Sequence, residues 1–187
     1  MDAPAFHVTK RLFIGLELPE SIQHTLAAID PHIRGLRWVR SEQMHLTMSF
    51  LGDVPASAES ALHDTLAQVN VPPFFLPVAG VGTFGGAQPT VVWAGVGKAH
   101  PHLFALHHHV QDAVLRAGLE ADLKPFRPHI TIGRARGVSP AMLKPFLREY
   151  EEREFGLWKV GGFVLFSSAR SPSGSIYTAE FRRKLHD

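Results

Sequence analysis

Apolar and polar positions along the chain alternate between runs of strand length and stretches of helical spacing. Arg11 to Leu18 (RLFIGLEL) is a nearly continuous apolar run, as suits a strand covered on both faces. Pro19-Glu20-Ser21 then opens a helix with Ile22, Leu26, Ile29 and Ile33 on one side, its regular part ending near Pro31. Arg37-Trp38-Val39 is a short strand or an approach to the next one. His45 to Gly52 alternates as a strand, and Pro55 to Val69 carries Ala58, Leu62, Leu66 and Val69 as a helical stripe. Phe74 to Val81 and Thr90 to Val96, separated by a Gly-rich turn around Phe84, read as a hairpin. A third helix spans His102 to Ala117, with Gly118 at its C-terminal end. A second alternating strand begins at His129. Ser139-Pro140 starts a fourth helix, running to about Glu152 with a bend expected at Pro145. Phe155 to Phe166, interrupted at Gly161-Gly162, and Ser175 to Arg183 are the last two strands, joined through Ser171-Pro172-Ser173-Gly174.

The predicted order is β-α-β-α-β-β followed by α-β-α-β-β. The second half echoes the first, and the echo is sharpest in two strands. His45-Leu46-Thr47-Met48 and His129-Ile130-Thr131-Ile132 both read His-x-Thr-x with apolar x, and 129 − 45 = 84 positions separate them. Side chains alternate across a strand. Leu46, Met48 and Phe50 therefore share a core-seeking face, and His45, Thr47 and Ser49 share the other. One His-x-Thr in a strand arises readily by chance; two, half a chain apart, do not. A diverged duplication of β-α-β units is the economical reading. It predicts an α/β (α+β) fold of two lobes within one domain spanning residues 1–187. Two antiparallel-rich sheets would flank a central cleft, each contributing one motif.

Composition changes this picture only by exclusion. At 187 residues, with 45% hydrophobic and 19% charged residues, the chain is long enough to bury a core without staples. It has no cysteine, which removes disulfides, thiolate metal sites and a thiol nucleophile. No signal peptide is evident near Met1 to Lys10 and no run reaches membrane-span length, so a cytoplasmic protein without a membrane partner is expected. The net charge of +2 and a pI near 9.2, without a long Lys/Arg run, suggest a mild preference for anions.

Two imidazoles facing one cleft form an acid–base pair near neutral pH. The hydroxyls of Thr47 and Thr131 beside them suit the oxygens of an anion. A phosphodiester is the natural substrate: one histidine deprotonates the attacking oxygen and the other protonates the leaving oxygen. Arg134 or Arg127 would offset the charge of the transition state. Both arginines lie near His129 in sequence. Their charges are expected to lower its pKa, making His129 the base and His45 the acid.

RLFIGLELP, RWVRSEQMHLTMSFLGD, PFRPHITIGRAR and FVLFSSARSPSGSIYTAEFRRKL together resemble the two-histidine phosphoesterase superfamily. More narrowly, they are similar to the RNA 2′,3′-cyclic phosphodiesterases once described as 2′–5′ RNA ligases. The resemblance covers most of the chain. It implies a bilobal α/β fold and metal-independent opening of 2′,3′-cyclic phosphate ends to 2′-phosphates. It also implies that His45 and His129 are catalytic, that Thr47 and Thr131 hold phosphate, and that RNA or a cyclic nucleotide is the substrate, with no cofactor and a monomeric enzyme. Arg134 falls where the family often has a basic residue. Gly133 is small where larger residues are common, and is expected to widen the cleft. The reverse reaction, 2′–5′ ligation, is an alternative, as is an RNA-end-binding module without turnover.

Three other features compete for attention. His100, His102, His107, His108 and His109 cluster, but none has a second histidine four residues on, so a solvated helix face is expected and not a metal site. Phe84 and Trp38 are candidates for stacking on a base, Phe84 at a turn and Trp38 just before the first motif. Arg182-Arg183-Lys184 reads as a solvated strand end.

Overall fold

The computed structural model describes residues 9–96, 100–122, 124–172 and 174–187. The first eight residues and Ser173 of the last loop lie outside them. The apolar run at the start forms β1 (Thr9–Glu17), buried from Leu12 to Leu16. It leads into α1 (Glu20–Ala27), which buries Ile22 and Leu26. A short β2 (Leu36–Trp38) and a 3₁₀ turn (Ser41–Gln43) precede the first motif strand, β3 (His45–Pro55). The chain continues through α2 (Ala56–Ala67), β4 (Phe74–Ala79), β5 (Val81–Phe84), β6 (Val91–Gly95) and α3 (Pro101–Arg116). The second motif strand is β7 (His129–Ala135), followed by α4 (Pro140–Tyr150), β8 (Glu154–Val160), β9 (Gly162–Ser171) and β10 (Gly174–Lys184). Gly118, just past the end of α3, takes the left-handed φ of 79° that a helix stop requires.

The fold class is the expected mixture of helices and antiparallel strands, but the sheets are divided differently. Eight strands form one sheet in the order β10-β9-β1-β3-β7-β6-β5, with β2 also paired to β7. Both motif strands therefore lie in the same sheet, side by side. The sheet has two four-stranded halves, β10-β9-β1-β3 and β7-β6-β5 with β2, each drawing strands from both the early and the late part of the sequence, and among the described residues they are registered together only where Leu46 pairs with Ile130. By contrast, β1 and β3 share nine registered pairs. The cleft lies on one face of this narrow junction, where an arrangement with one motif strand in each of two sheets was expected.

Two predicted strands are split by glycine. Phe74 to Val81 breaks at Gly80, whose φ of 71° turns the chain from β4 to β5. The predicted hairpin is consequently β5 with β6, while β4 pairs with β8 in a separate two-stranded sheet. Phe155 to Phe166 likewise divides at Gly161, its first part joining β4 and its second lying between β1 and β10.

The helices supply their apolar stripes to one cluster. Ile22, Leu26, Leu62, Leu66, Leu103, Leu106, Val110, Leu143 and Phe146 pack with Leu12, Ile14, Leu16, Leu46, Met48, Ile130 and Ile132 of the sheet. The opposite sheet face holds a much smaller cluster of Phe13, Val164 and Phe166, with Tyr177 against it. Helices thus cover the core face, and the motif histidines and threonines occupy the other.

Leu46→Ala should remove a fully buried side chain at the junction between the halves. The expected loss of stability is about 2–5 kcal/mol. Urea unfolding should show a lower midpoint with an unchanged slope; a loss under about 1 kcal/mol would mean that this residue does not hold the halves together.

Candidate active site

Each motif histidine is pinned from behind by its own backbone. His45 Nδ1 lies 2.7 Å from the carbonyl of Gln43, and His129 Nδ1 lies 2.6 Å from that of Arg127. A carbonyl only accepts, so Nδ1 of each ring carries the proton. Nε2 of each is then free to take or give a proton. The Gln43 carbonyl is itself placed by the 3₁₀ turn, and the Gln43 side-chain amide donates to the carbonyl of Ser175. Glu17 is register-opposite His45, but Arg182 engages its carboxylate, with Nη2 2.9 Å from Oε1.

Aromatic rings prop both imidazoles. Phe13 lies 4.8 Å from the His45 ring, and Tyr177 meets it edge-on at 5.4 Å. Phe84 meets His129 edge-on at 4.8 Å. Gly15 leaves room for the first imidazole: a Cβ there would stand 3.3 Å from His45 Cδ2 and 3.2 Å from the Leu46 carbonyl.

The strands do not alternate strictly after the threonines. Ile14 faces Ser49 and Gly15 faces Thr47, so Met48 is an extra residue in β3. Val92 faces Gly133 and Trp93 faces Thr131, so Ile132 is an extra residue in β7. Each bulge keeps its own residue in the core and reverses the facing of the residues after it. Ser49 is therefore buried beside Ile14 instead of sharing the face of Thr47. Phe50, expected in the core, is 61% exposed on the cleft side. In the second copy the same shift buries Gly133 and turns Arg134 outward. The carbonyl of Ile132 is taken up by the Val39 N–H at 2.8 Å.

A cavity of about 370 Å³ gathers His45, Thr47, His129, Thr131 and Arg134 on this face. Antiparallel pairing at Leu46 and Ile130 sets Thr47 toward His129 and His45 toward Thr131. Sequence reasoning missed Arg37, Arg40, Gln43, Phe50 and Tyr177 in its wall. The usable signal for Phe50 was the small residue after the first motif, Ser49, at the bulge, matched by Gly133 at the second.

The remaining candidates fall elsewhere. The Arg127 side chain is exposed and lines a neighbouring cavity of about 550 Å³, which shares Thr47, Phe50 and His129 with the first. Phe84 lines that second cavity too, where it braces His129. Trp38 touches the rim of the first cavity, but its ring is committed to packing. Its Nε1 donates to the Leu26 carbonyl at 3.0 Å, and it meets Phe146 edge-on. Trp38 and Leu36 fill the space beside Gly133, where a Cβ would come within 3.1 Å of each, so Gly133 does not widen the cleft. Of the histidine cluster, His107 stacks on Phe126 at 4.0 Å in the larger cavity, and burial pushes its pKa down. Among the described residues no group of three or more His, Cys, Asp or Glu is placed to hold a metal ion. Of the terminal basic residues, Arg183 Nε donates to the Val69 carbonyl at 3.1 Å.

The electrostatics single out His45. Burial pushes the His45 pKa below the usual imidazole value, and the charges of Arg134 and His129 push the same way, against the bond to Gln43. Arg134 follows the second motif in sequence, yet its field acts on the first histidine.

Paired imidazoles with backbone-fixed Nδ1 protons, two threonines and an arginine thus share one polar cavity, an arrangement able to exchange protons and to hold an anion. A family model described as the 2′-5′ RNA ligase superfamily matches residues 18–172. The chain belongs to that superfamily. It is 32% identical over 171 residues to an RNA 2′,3′-cyclic phosphodiesterase of Archaeoglobus fulgidus, covering 89% of this chain and 96% of the relative. It is also 32% identical over 154 residues to that of Escherichia coli, covering 80% and 86%. The crystal structure of E. coli LigT complexed with 3′-AMP superposes with a TM-score of 0.79 at 27% identity, covering 96% of this chain and 100% of LigT. No helix of the described residues is long and apolar enough to cross a membrane.

By NMR titration His45 should protonate below the ~6.5 of a free imidazole. Arg134→Gln removes a neighbouring cation and should move that pKa up. An unshifted His45 resonance in the variant would show that the Arg134 charge does not reach it.

Proposed function

We propose that this chain opens RNA 2′,3′-cyclic phosphate ends to 2′-phosphate ends, without metal, with His45 and His129 as its proton-transfer pair. The observation that carries this reading is the convergence of both pinned imidazoles, Thr47, Thr131 and Arg134 on one cavity whose wall, among the described residues, has no carboxylate. The names of the relatives support the substrate class. So does the 3′-AMP held by E. coli LigT.

Water attacks phosphorus opposite the 3′-oxygen. Its proton goes to Nε2 of one histidine, the P–O3′ bond breaks, and the other histidine gives its proton to O3′. The products are a 2′-phosphate and a 3′-hydroxyl, and solvent resets the two imidazoles. Thr47 and Thr131 donate to the non-bridging oxygens, which gather charge in the transition state, and Arg134 offsets that charge. A base must be neutral at working pH. The burial that depresses His45 favours that state, so His45 is the base and His129 the acid. This reverses the assignment expected from sequence proximity alone.

Incubating an RNA with a 2′,3′-cyclic end in the presence of EDTA should yield the 2′-phosphate. His45→Ala and His129→Ala should each lower turnover by about 10²–10⁴-fold, and Thr47→Val and Thr131→Val by less. A 3′-phosphate product, loss of activity with EDTA, or near-normal turnover in either histidine variant would overturn the reading.

A further inference from the structure

The cavity holds more positive charge than one cyclic phosphate requires. A cyclic phosphodiester bears a single negative charge, which Arg134 and a protonated His129 already meet. Arg37 and Arg40 line the same wall and remain unaccounted for. Arg37 is directly opposite Arg134 across β2 and β7, and paired cross-strand residues share a sheet face. Like charges placed so are destabilising unless an anion lies near them. Among the described residues Arg37 has no ion pair or side-chain hydrogen bond. Arg40 has one distant partner, Glu42 at 4.0 Å, with both side chains more than half exposed.

The two cavities also differ in character. The larger one, beyond His129, is walled by Phe50, Phe84, Phe126 and the His107 ring, and suits a base. The arginines stand on the other side of the histidines.

We propose that Arg37 and Arg40 bind the internucleotide phosphate immediately upstream of the cyclic end, selecting oligonucleotide ends over free cyclic mononucleotides. The inference rests on the cyclic-phosphodiesterase reading and adds the polymeric character of the substrate. The upstream phosphate enters on the arginine side while the terminal base occupies the aromatic side. Arg37 and Arg40 act through binding and not through proton transfer, so their effect falls on KM.

The test compares a nucleoside 2′,3′-cyclic phosphate with a tetranucleotide bearing the same end, for the wild type and the Arg37→Gln/Arg40→Gln double variant. Wild-type KM should be lower for the tetranucleotide. The double variant should raise that KM by roughly tenfold or more, with kcat kept and the mononucleotide changed far less. The salt dependence of kcat/KM for the tetranucleotide should flatten by about 0.7 in log–log slope for each arginine–phosphate pairing removed. Equal losses on both substrates would make the arginines part of the reacting centre, and no loss on either would remove them from binding; both results overturn the proposal. A Lys124→Gln/Arg127→Gln variant that alone raised the tetranucleotide KM would put the upstream phosphate on the aromatic side and overturn it too. If the wild type opened neither substrate, the reading of the site itself would fall, and with it this inference.

Discussion

One backbone pairing, Leu46 with Ile130, is the constraint on which the site depends. Among the described residues it is the only registered pair between β3 and β7, and it sets the two motifs antiparallel and adjacent. From that pairing, the alternation of a pleated strand puts both histidines and both threonines on the face away from the helices. Both apolar partners are fully buried, so a slip of one residue would bring the polar set into the core. The register is therefore held by the same hydrophobic face that builds the fold. What remains for the open face is orientation, supplied by two carbonyls that hold the imidazole Nδ1 atoms and by aromatic rings beside them.

The bulges at Met48 and Ile132 are the second device. Strict alternation would bury Arg134 and Phe50; one extra residue in each strand turns both into the cleft. The two motif strands thus share a backbone irregularity as well as a sequence pattern. The cleft-facing residue after each bulge differs, phenylalanine in one copy and arginine in the other, and this is where the two halves stop being equivalent. Phe50 stands between the polar and aromatic cavities, while Arg134 sets the field at His45.

Much of this was legible in the residues. The paired His-x-Thr strands, four helices and the class of fold all follow from apolar spacing. The division of strands between sheets did not, because a glycine such as Gly80 reads as a turn tip or as a switch between sheets with equal ease. Trp38 looked like a stacking residue beside the motif, but the bulge puts its partner Gly133 on the core face, and the indole follows. The acid–base assignment proposed from the structure departs from the one expected from sequence for a related reason. Arg127 and Arg134 are close to His129 in sequence, whereas the depression of His45 comes first from burial under rings drawn from β1, β9 and β10. Contributions from strands far apart in sequence leave no local mark.

The claim that matters most is that two imidazoles divide the proton transfers, His45 as base and His129 as acid. The pH dependence of kcat/KM on a cyclic-phosphate substrate tests it most directly. The wild type should give a bell between about pH 5 and 8. Residual activity of His45→Ala should lose the limb on the acidic side, and that of His129→Ala the limb on the alkaline side. A bell that persists unchanged in either variant would contradict the account, and limbs lost in the opposite order would reverse the roles.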